Sequence, residues 1–216
     1  MDIKENIENI LSEIPNNVLL VAVSKTKPVE DILEAYEIGI RNFGENKVQE
    51  LVDKYDKLPK DISWHLIGSL QTNKVKYIVG KVTLIHSLSS IKLLEKIELE
   101  YGKKDMIADV LIQVNIGREA SKGGVLEEDL EELIQAIEKC DNVRVKGIMV
   151  IIPKGNDDEN RYYFKKSFEI FEELKNNSYK NISMEILSMG MTHDYKIAIE
   201  EESNLIRIGT GIFGAR

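Results

Sequence analysis

Three short runs hold the residues with most chemistry to offer. In VAVSKTKP (21–28) an apolar stretch runs straight into Ser24 and Lys25. An ammonium at the edge of a core costs free energy unless something pairs with it. Lys25 is therefore either a permanent counter-charge or, where desolvation lowers its pKa, an amine that attacks a carbonyl to form a Schiff base. The other two runs, SMGMT (188–192) and RIGTG (207–211), mix glycine with hydroxyls. Glycine lets backbone N–H groups approach an anion closely, and Gly190, Thr192, Gly209, Thr210 and Gly211 suit a phosphate.

A strand and helix rhythm must place these groups. Residues 18–24 read as a buried strand, and Pro28, suited to a first helical turn, opens a helix with Val29, Ile32, Leu33 and Tyr36 on one face. Further strands are expected at 40–44, 63–68, 83–87, 109–116, 143–150, 182–187 and 205–208, with helical spacing between them. The helix near 193 is short. Eight alternating units predict parallel pairing and a closed (β/α)8 TIM barrel rather than an open doubly wound sheet. An extra helix at 3–11 precedes it, and one domain spans 1–216, with PKGNDDEN (153–160) a barrel loop.

Barrel chemistry collects at the C-terminal strand ends, and the loops after the last two strands commonly hold a phosphate. Lys25, Asn46, Ser188, Thr192, Arg207, Gly209 and Thr210 all fall on that rim. Pyridoxal 5'-phosphate carries both the aldehyde and the phosphate that such a rim would hold. The runs VAVSKTKP, FGENKVQEL, WHLIGSLQTNKVK, LIQVNIGREASKGG, LSMGMTHDYKIAI and RIGTGIFGAR resemble the pyridoxal 5'-phosphate homeostasis protein family, whose fold is similar to the N-terminal barrel of alanine racemase. The resemblance extends from Leu20 to Arg216. It implies that Lys25 carries the cofactor as an internal aldimine. By the same resemblance Asn46 lies beside the ring, Ser188, Thr192, Gly209 and Thr210 hold the phosphate, and Arg207 faces the pyridine nitrogen. An arginine does not give up its proton, so that nitrogen should stay unprotonated and the ring should be a weak electron sink.

Departures from the pattern are informative. Alanine racemase has a second, C-terminal β domain and takes a second acid/base tyrosine from its partner subunit, whereas this chain stops at Arg216, just after the eighth strand. Two-base racemisation needs proton donors on both faces of the substrate carbon, and only Lys25 is evident. No catalytic residue is assigned. Lys47 replaces an aromatic residue expected after GEN, and Thr192 replaces a serine while keeping the hydroxyl.

Plainer roles compete at several positions. Lys25 taken alone is a snorkelling surface lysine, and Arg207 alone a partner for a barrel carboxylate. Asn46 suits the cap of the helix after Gly44, and Thr192 the cap of a helix beginning at His193. His65, His86 and His193 read as hydrogen-bonded core histidines, and neither they nor Cys140 show metal-ligand spacing, so no metal is assigned. Phe164, Phe168 and Phe171 form a core-facing stripe. Lys122, Gly123 and Gly124 form a flexible loop over the rim, with a lid as the alternative.

A formal charge of -8 and a pI near 5.1 argue against a nucleic-acid surface. One cysteine excludes an intramolecular disulfide, no apolar run reaches membrane-spanning length, and the start lacks signal-peptide features. A cytoplasmic monomer is expected. Three functions from different classes remain open. The preferred one is a protein that stores, buffers or delivers pyridoxal phosphate with little or no turnover, with pyridoxal-phosphate-dependent apo-enzymes as recipients. The others are a racemase-like enzyme of weak or narrow activity, and a Schiff-base aldolase or phosphosugar enzyme that needs no cofactor.

Overall fold

Runs rich in valine, isoleucine and leucine, buried on both faces, build a parallel sheet. In the computed structural model, which describes residues 2–119 and 122–215, they form β1 (Leu19–Val23), β2 (Asn42–Glu45), β3 (Ser63–Leu66), β4 (Leu84–Leu88), β5 (Ala108–Val114), β6 (Val143–Val150), β7 (Ile182–Ser188) and β8 (Leu205–Ile208). Each strand pairs in parallel with the next, and β8 with β1, closing the barrel. The helices are α1 (Ile3–Glu13), α2 (Val29–Glu37), α3 (Val48–Lys57), α4 (Ile91–Gly102), α5 (Leu130–Ile137), α6 (Asp157–Lys175), α7 (Tyr195–Glu200) and α8 (Thr210–Phe213). This is the expected (β/α)8 barrel with an added N-terminal helix. None of the described helices is long and apolar enough to cross a membrane. Ala120 and Ser121 of the GREASKGG loop and the terminal Met1 and Arg216 lie outside the described residues.

Local chemistry moves several boundaries. Between β3 and β4 the chain makes a 3-10 turn, Thr72–Tyr77, in place of a full helix. Pro28 stands at the N-cap of α2 with extended backbone rather than inside the first turn. β2 begins at Asn42, two residues later than expected, because Ile40 packs into the outer core instead. After β8 the glycine-rich loop expected at 209–211 gives way to the single turn of α8, with Gly209 at its N-cap. That turn is held from two sides: Asn6 Nδ2 of α1 donates to Ile212 O at 2.9 Å, and Lys27 Nζ donates to Phe213 O at 2.7 Å. The extra helix thus braces the loop after β8.

Strand alternation divides the lumen into two levels. Side chains repeat on one face every second residue. Val21, Leu84, Leu111, Met149 and Leu205 form a small apolar cluster inside the barrel, with Ile186 against it. Two residues further along the same strands come His86, Gln113, Ser188 and Arg207, all buried. The floor of the lumen is apolar and the level above it is polar.

β6 meets β7 through a register shift at Gly147, whose φ is +151° and whose added Cβ would stand 1.8 Å from Ile186 O. Gly147→Ala must part the two strands there. A loss of about 2–4 kcal/mol is expected, or a Tm lower by roughly 5–15 °C, read by thermal denaturation followed by circular dichroism. An unchanged Tm would mean that the junction has room the structure does not show.

Candidate functional site

Lys25 lies two residues beyond the end of β1 and is half-buried at the barrel mouth. Its two neighbours are tied into a network in the layer between β2 and α3. Lys54 Nζ, on α3 and only 6% exposed, donates to Ser24 O at 2.8 Å, Glu45 Oε1 at 2.8 Å and Glu50 Oε1 at 2.7 Å. Ser24 Oγ donates to Glu45 Oε1 at 2.6 Å, and Thr26 N donates to Glu50 Oε1 at 2.5 Å. Thr26 adopts φ +65°, a conformation that costs a β-branched residue energy and persists only where the surroundings impose it. Ser24 and Thr26 are therefore clamped on either side of Lys25. Burial pushes the Glu45 carboxyl up, against the opposing pull of Lys54 and Ser24.

Inside the lumen five polar side chains join across the barrel. Arg207 Nη1 donates to Ser188 Oγ at 2.6 Å, and Arg207 Nη2 donates to Val150 O at 2.8 Å. Ser188 Oγ lies 3.1 Å from His86 Nδ1, and His86 Nε2 lies 2.9 Å from His65 Nδ1. His65 Nε2 lies 3.1 Å from Asn42 Oδ1. Burial pushes His65 down to about 4 and His86 well below its ordinary value, so both rings are neutral at neutral pH. Arg207 is 4% exposed and burial brings it down to about 10, which leaves it charged. Among the described residues no carboxylate forms an ion pair with it. The barrel carboxylate that a lone buried arginine would call for is replaced by a hydroxyl and a carbonyl.

A third group lies where the loops after β7 and β8 meet. Thr192 Oγ1 is 3.1 Å from Thr210 Oγ1, and Gly211 N donates to Thr192 Oγ1 at 3.3 Å. Gly209 sits against Val23, two residues before Lys25. Gly190 has φ +92°, and a Cβ there would come within 2.7 Å of Ala198 Cβ on α7, so that turn requires glycine. Arg207 N donates to Gly190 O at 3.0 Å, which joins the two glycine-rich loops.

The expected site residues thus fall into three sets. Thr192, Gly209 and Thr210 meet; Ser188 stands apart from them, fully buried with Arg207; Lys25 and Asn46 follow β1 and β2 on the mouth. Asn46 is half-buried, its backbone packed on Gly68. It caps nothing, since the N-cap of α3 is Lys47 and makes no side-chain cap bond. Thr192 is no cap either: Asp194 takes that place, and its Oδ1 accepts from Met191 N at 2.5 Å. His193 is exposed, unlike the core histidine expected, because α7 begins two residues beyond it. The 122–124 loop is fastened rather than free, with Gln113 Nε2 donating to Gly123 O at 2.9 Å and Lys122 Nζ to Ile152 O at 2.9 Å. Sequence reasoning missed Glu45, Glu50 and Lys54. The four-residue spacing of Glu50 and Lys54 on α3 was the available signal.

Comparison with known proteins bears on this arrangement. The family model described as alanine racemase, N-terminal domain, matches residues 1–216. A pyridoxal phosphate homeostasis protein of Aquifex aeolicus is 46% identical over 203 residues, covering 93% of this chain and 88% of that protein. One of Vibrio alginolyticus is 38% identical, covering 99% of this chain and 97% of that protein. The structure of PipY of Synechococcus elongatus with PLP bound superimposes with a TM-score of 0.90 at 34% identity, covering 99% of this chain and 100% of that one. Alanine racemase of Clostridium difficile, at 13% identity and a TM-score of 0.77, shares the fold.

Two outcomes follow from the charges. Lys54→Met leaves Glu45 buried without its cation and should cost about 3–5 kcal/mol in chemical denaturation. The histidines set a pH dependence. A base whose folded pKa is depressed binds fewer protons folded than unfolded, so its contribution is complete above the unfolded value near 6.5 and is lost as pH falls toward the folded one. For His65 that loss is on the order of 3 kcal/mol between the unfolded value and about 4. The unfolding midpoint should fall as pH drops from 7 to 4.5, and fall less in His65→Gln. Glu45, raised by burial, acts in the opposite sense but equally in both proteins.

Proposed function

The chain belongs to the alanine racemase N-terminal domain family, and within it to the pyridoxal phosphate homeostasis proteins; from that premise we propose that it holds pyridoxal phosphate as a Schiff base on Lys25, and stores, buffers or delivers the cofactor with little or no turnover. It does so as a one-domain monomer in the cytoplasm, with pyridoxal-phosphate-dependent apo-enzymes as recipients. The observation that carries this reading is Arg207, a buried cation at the polar level of the lumen with a hydroxyl and a carbonyl for hydrogen-bond partners and no carboxylate ion-paired with it among the described residues. Such a group fits an uncharged acceptor, and a pyridine nitrogen is one.

The other residues fit the rest of the molecule. The Thr192 and Thr210 hydroxyls with the Gly209–Gly211 backbone offer donors to a phosphate. Lys25, half-buried at the mouth, offers an amine that would condense with an aldehyde with loss of water, the chemistry pyridoxal phosphate would supply. Asn46, on the same mouth, lies beside the ring. An arginine at the ring nitrogen leaves that nitrogen unprotonated and the ring a poor electron sink, which favours holding over carbanion chemistry.

The visible absorption spectrum of the purified protein, before and after borohydride, tests this beside Lys25→Ala. The parent should show a band that reduction fixes to the chain, and the variant should show none. Thr192→Val should weaken binding roughly 10-fold, the loss of one hydrogen bond to a charged group. Turnover of amino acids at enzymatic rates by the loaded protein would replace storage with a racemase-like activity. A colourless parent that takes up no added pyridoxal phosphate would remove the cofactor altogether.

A further inference from the structure

With Asn42 Oδ1 facing His65, the five side chains in the lumen permit one assignment of protons. Asn42 Oδ1 only accepts, so His65 carries its proton on Nε2. A neutral His65 then presents a bare Nδ1, and at 2.9 Å His86 Nε2 must donate to it. Only one proton fits between those two nitrogens. His86 is left with a bare Nδ1, which takes the hydroxyl proton of Ser188. The Ser188 oxygen, its proton committed, is an acceptor toward everything else, and Arg207 Nη1 donates to it at 2.6 Å. Each link fixes the next, and the direction runs one way from Arg207 to Asn42.

The chain has a mechanical consequence. Arg207 on β8 is gripped through Ser188 on β7 by two rings on β3 and β4, across the lumen rather than along the wall. The Asp194 carboxylate acts on the guanidinium only through space, with no hydrogen bond to fix its direction, and Val150 O alone would allow it to pivot. We propose that Ser188, His86 and His65 are positioning residues for Arg207, a one-way hydrogen-bond chain that aims its remaining N–H groups at an uncharged acceptor in the barrel mouth. The inference rests on the cofactor reading above for the identity of that acceptor, and it gives Ser188 a role in place of phosphate contact. With its proton on His86 and its side chain buried, Ser188 has no donor left for a phosphate oxygen.

Two measurements on the full-length chain test it. Long-range proton–nitrogen correlation on the histidine-labelled protein without cofactor, at pH 7.5, should find His65 and His86 both protonated on Nε2 and bare on Nδ1, with exposed His193 as the internal reference. A proton on Nδ1 of either buried ring would overturn the chain. Binding is then compared for pyridoxal phosphate and for its isostere with C–H in place of the ring nitrogen, in the parent, Ser188→Ala and Ser188→Thr. Ser188→Ala should weaken pyridoxal phosphate about tenfold and the isostere less than about twofold, and Ser188→Thr, which keeps the hydroxyl, should restore the difference. Equal weakening of both ligands would overturn the proposal, since a phosphate contact or a general loss of structure acts on both alike. Failure of the cofactor reading shows differently: the parent itself would bind neither ligand, whatever the tautomers.

Discussion

A positive charge buried in the lumen with no carboxylate bonded to it among the described residues, and only Asp194 acting on it through space, is the constraint on which the rest of this barrel depends. Removing a guanidinium from water is costly unless its donors are satisfied. Here the partners of Arg207 are Ser188 Oγ and Val150 O, and the serine leans on two neutral histidines. That arrangement explains the two-level lumen. An apolar floor of Val21, Leu84, Leu111 and Leu205 closes the barrel below, and the polar level lies two residues further along the same strands.

The outer wall handles charge by the opposite means. Lys54 is also buried, but Glu45 and Glu50 pair with it. A paired ion network resists change in its geometry more than it adds stability, because desolvation offsets most of the attraction. Its position accounts for its use: the bonds end on Ser24 and Thr26, the two neighbours of Lys25, and hold Thr26 in a strained turn. One lysine is spent as a fixed strut beside another left at the mouth. The lumen keeps a cation unpaired by acid and the wall keeps one neutralised, separated by a single strand layer.

Much of this was legible in the sequence, for reasons that are local. Eight apolar runs separated by helical spacing announce a barrel because period and length are written residue by residue. The rim positions of Lys25 and Asn46 and the meeting of Thr192 with Thr210 follow once the strand ends are known. His65 and His86 were legible as hydrogen-bonded core residues, but their partners were not, since the bond from His86 to Ser188 joins residues 102 apart in sequence and across the lumen. His193 looked alike in sequence and is exposed, because a strand alternation argument does not reach a residue in the turn before a short helix. The family resemblance groups Ser188 with Thr192 at the phosphate. Alternation separates them, since Ser188 is the last residue of β7, turned into the lumen, and Thr192 lies in the loop beyond it.

The bracing of α8 joins these observations to the proposed role. Storage or delivery requires a ligand held by contacts that can be released without unfolding the barrel. Local opening draws on the parts of a fold with few buried contacts, such as single turns and loops. α8 is a single turn of another kind: it carries Thr210 and Gly211, but its Ile212 and Phe213 are buried in the core and it is fastened by two side-chain bonds from Asn6 and Lys27 to its carbonyls. Arg207 and its chain lie in the rigid lumen behind it. The Thr210 hydroxyl and the Gly211 N–H are thus held from one side by core packing and Arg207 from the other by its chain, so both sets of donors keep their aim and release of a ligand falls to the exposed mouth rather than to α8.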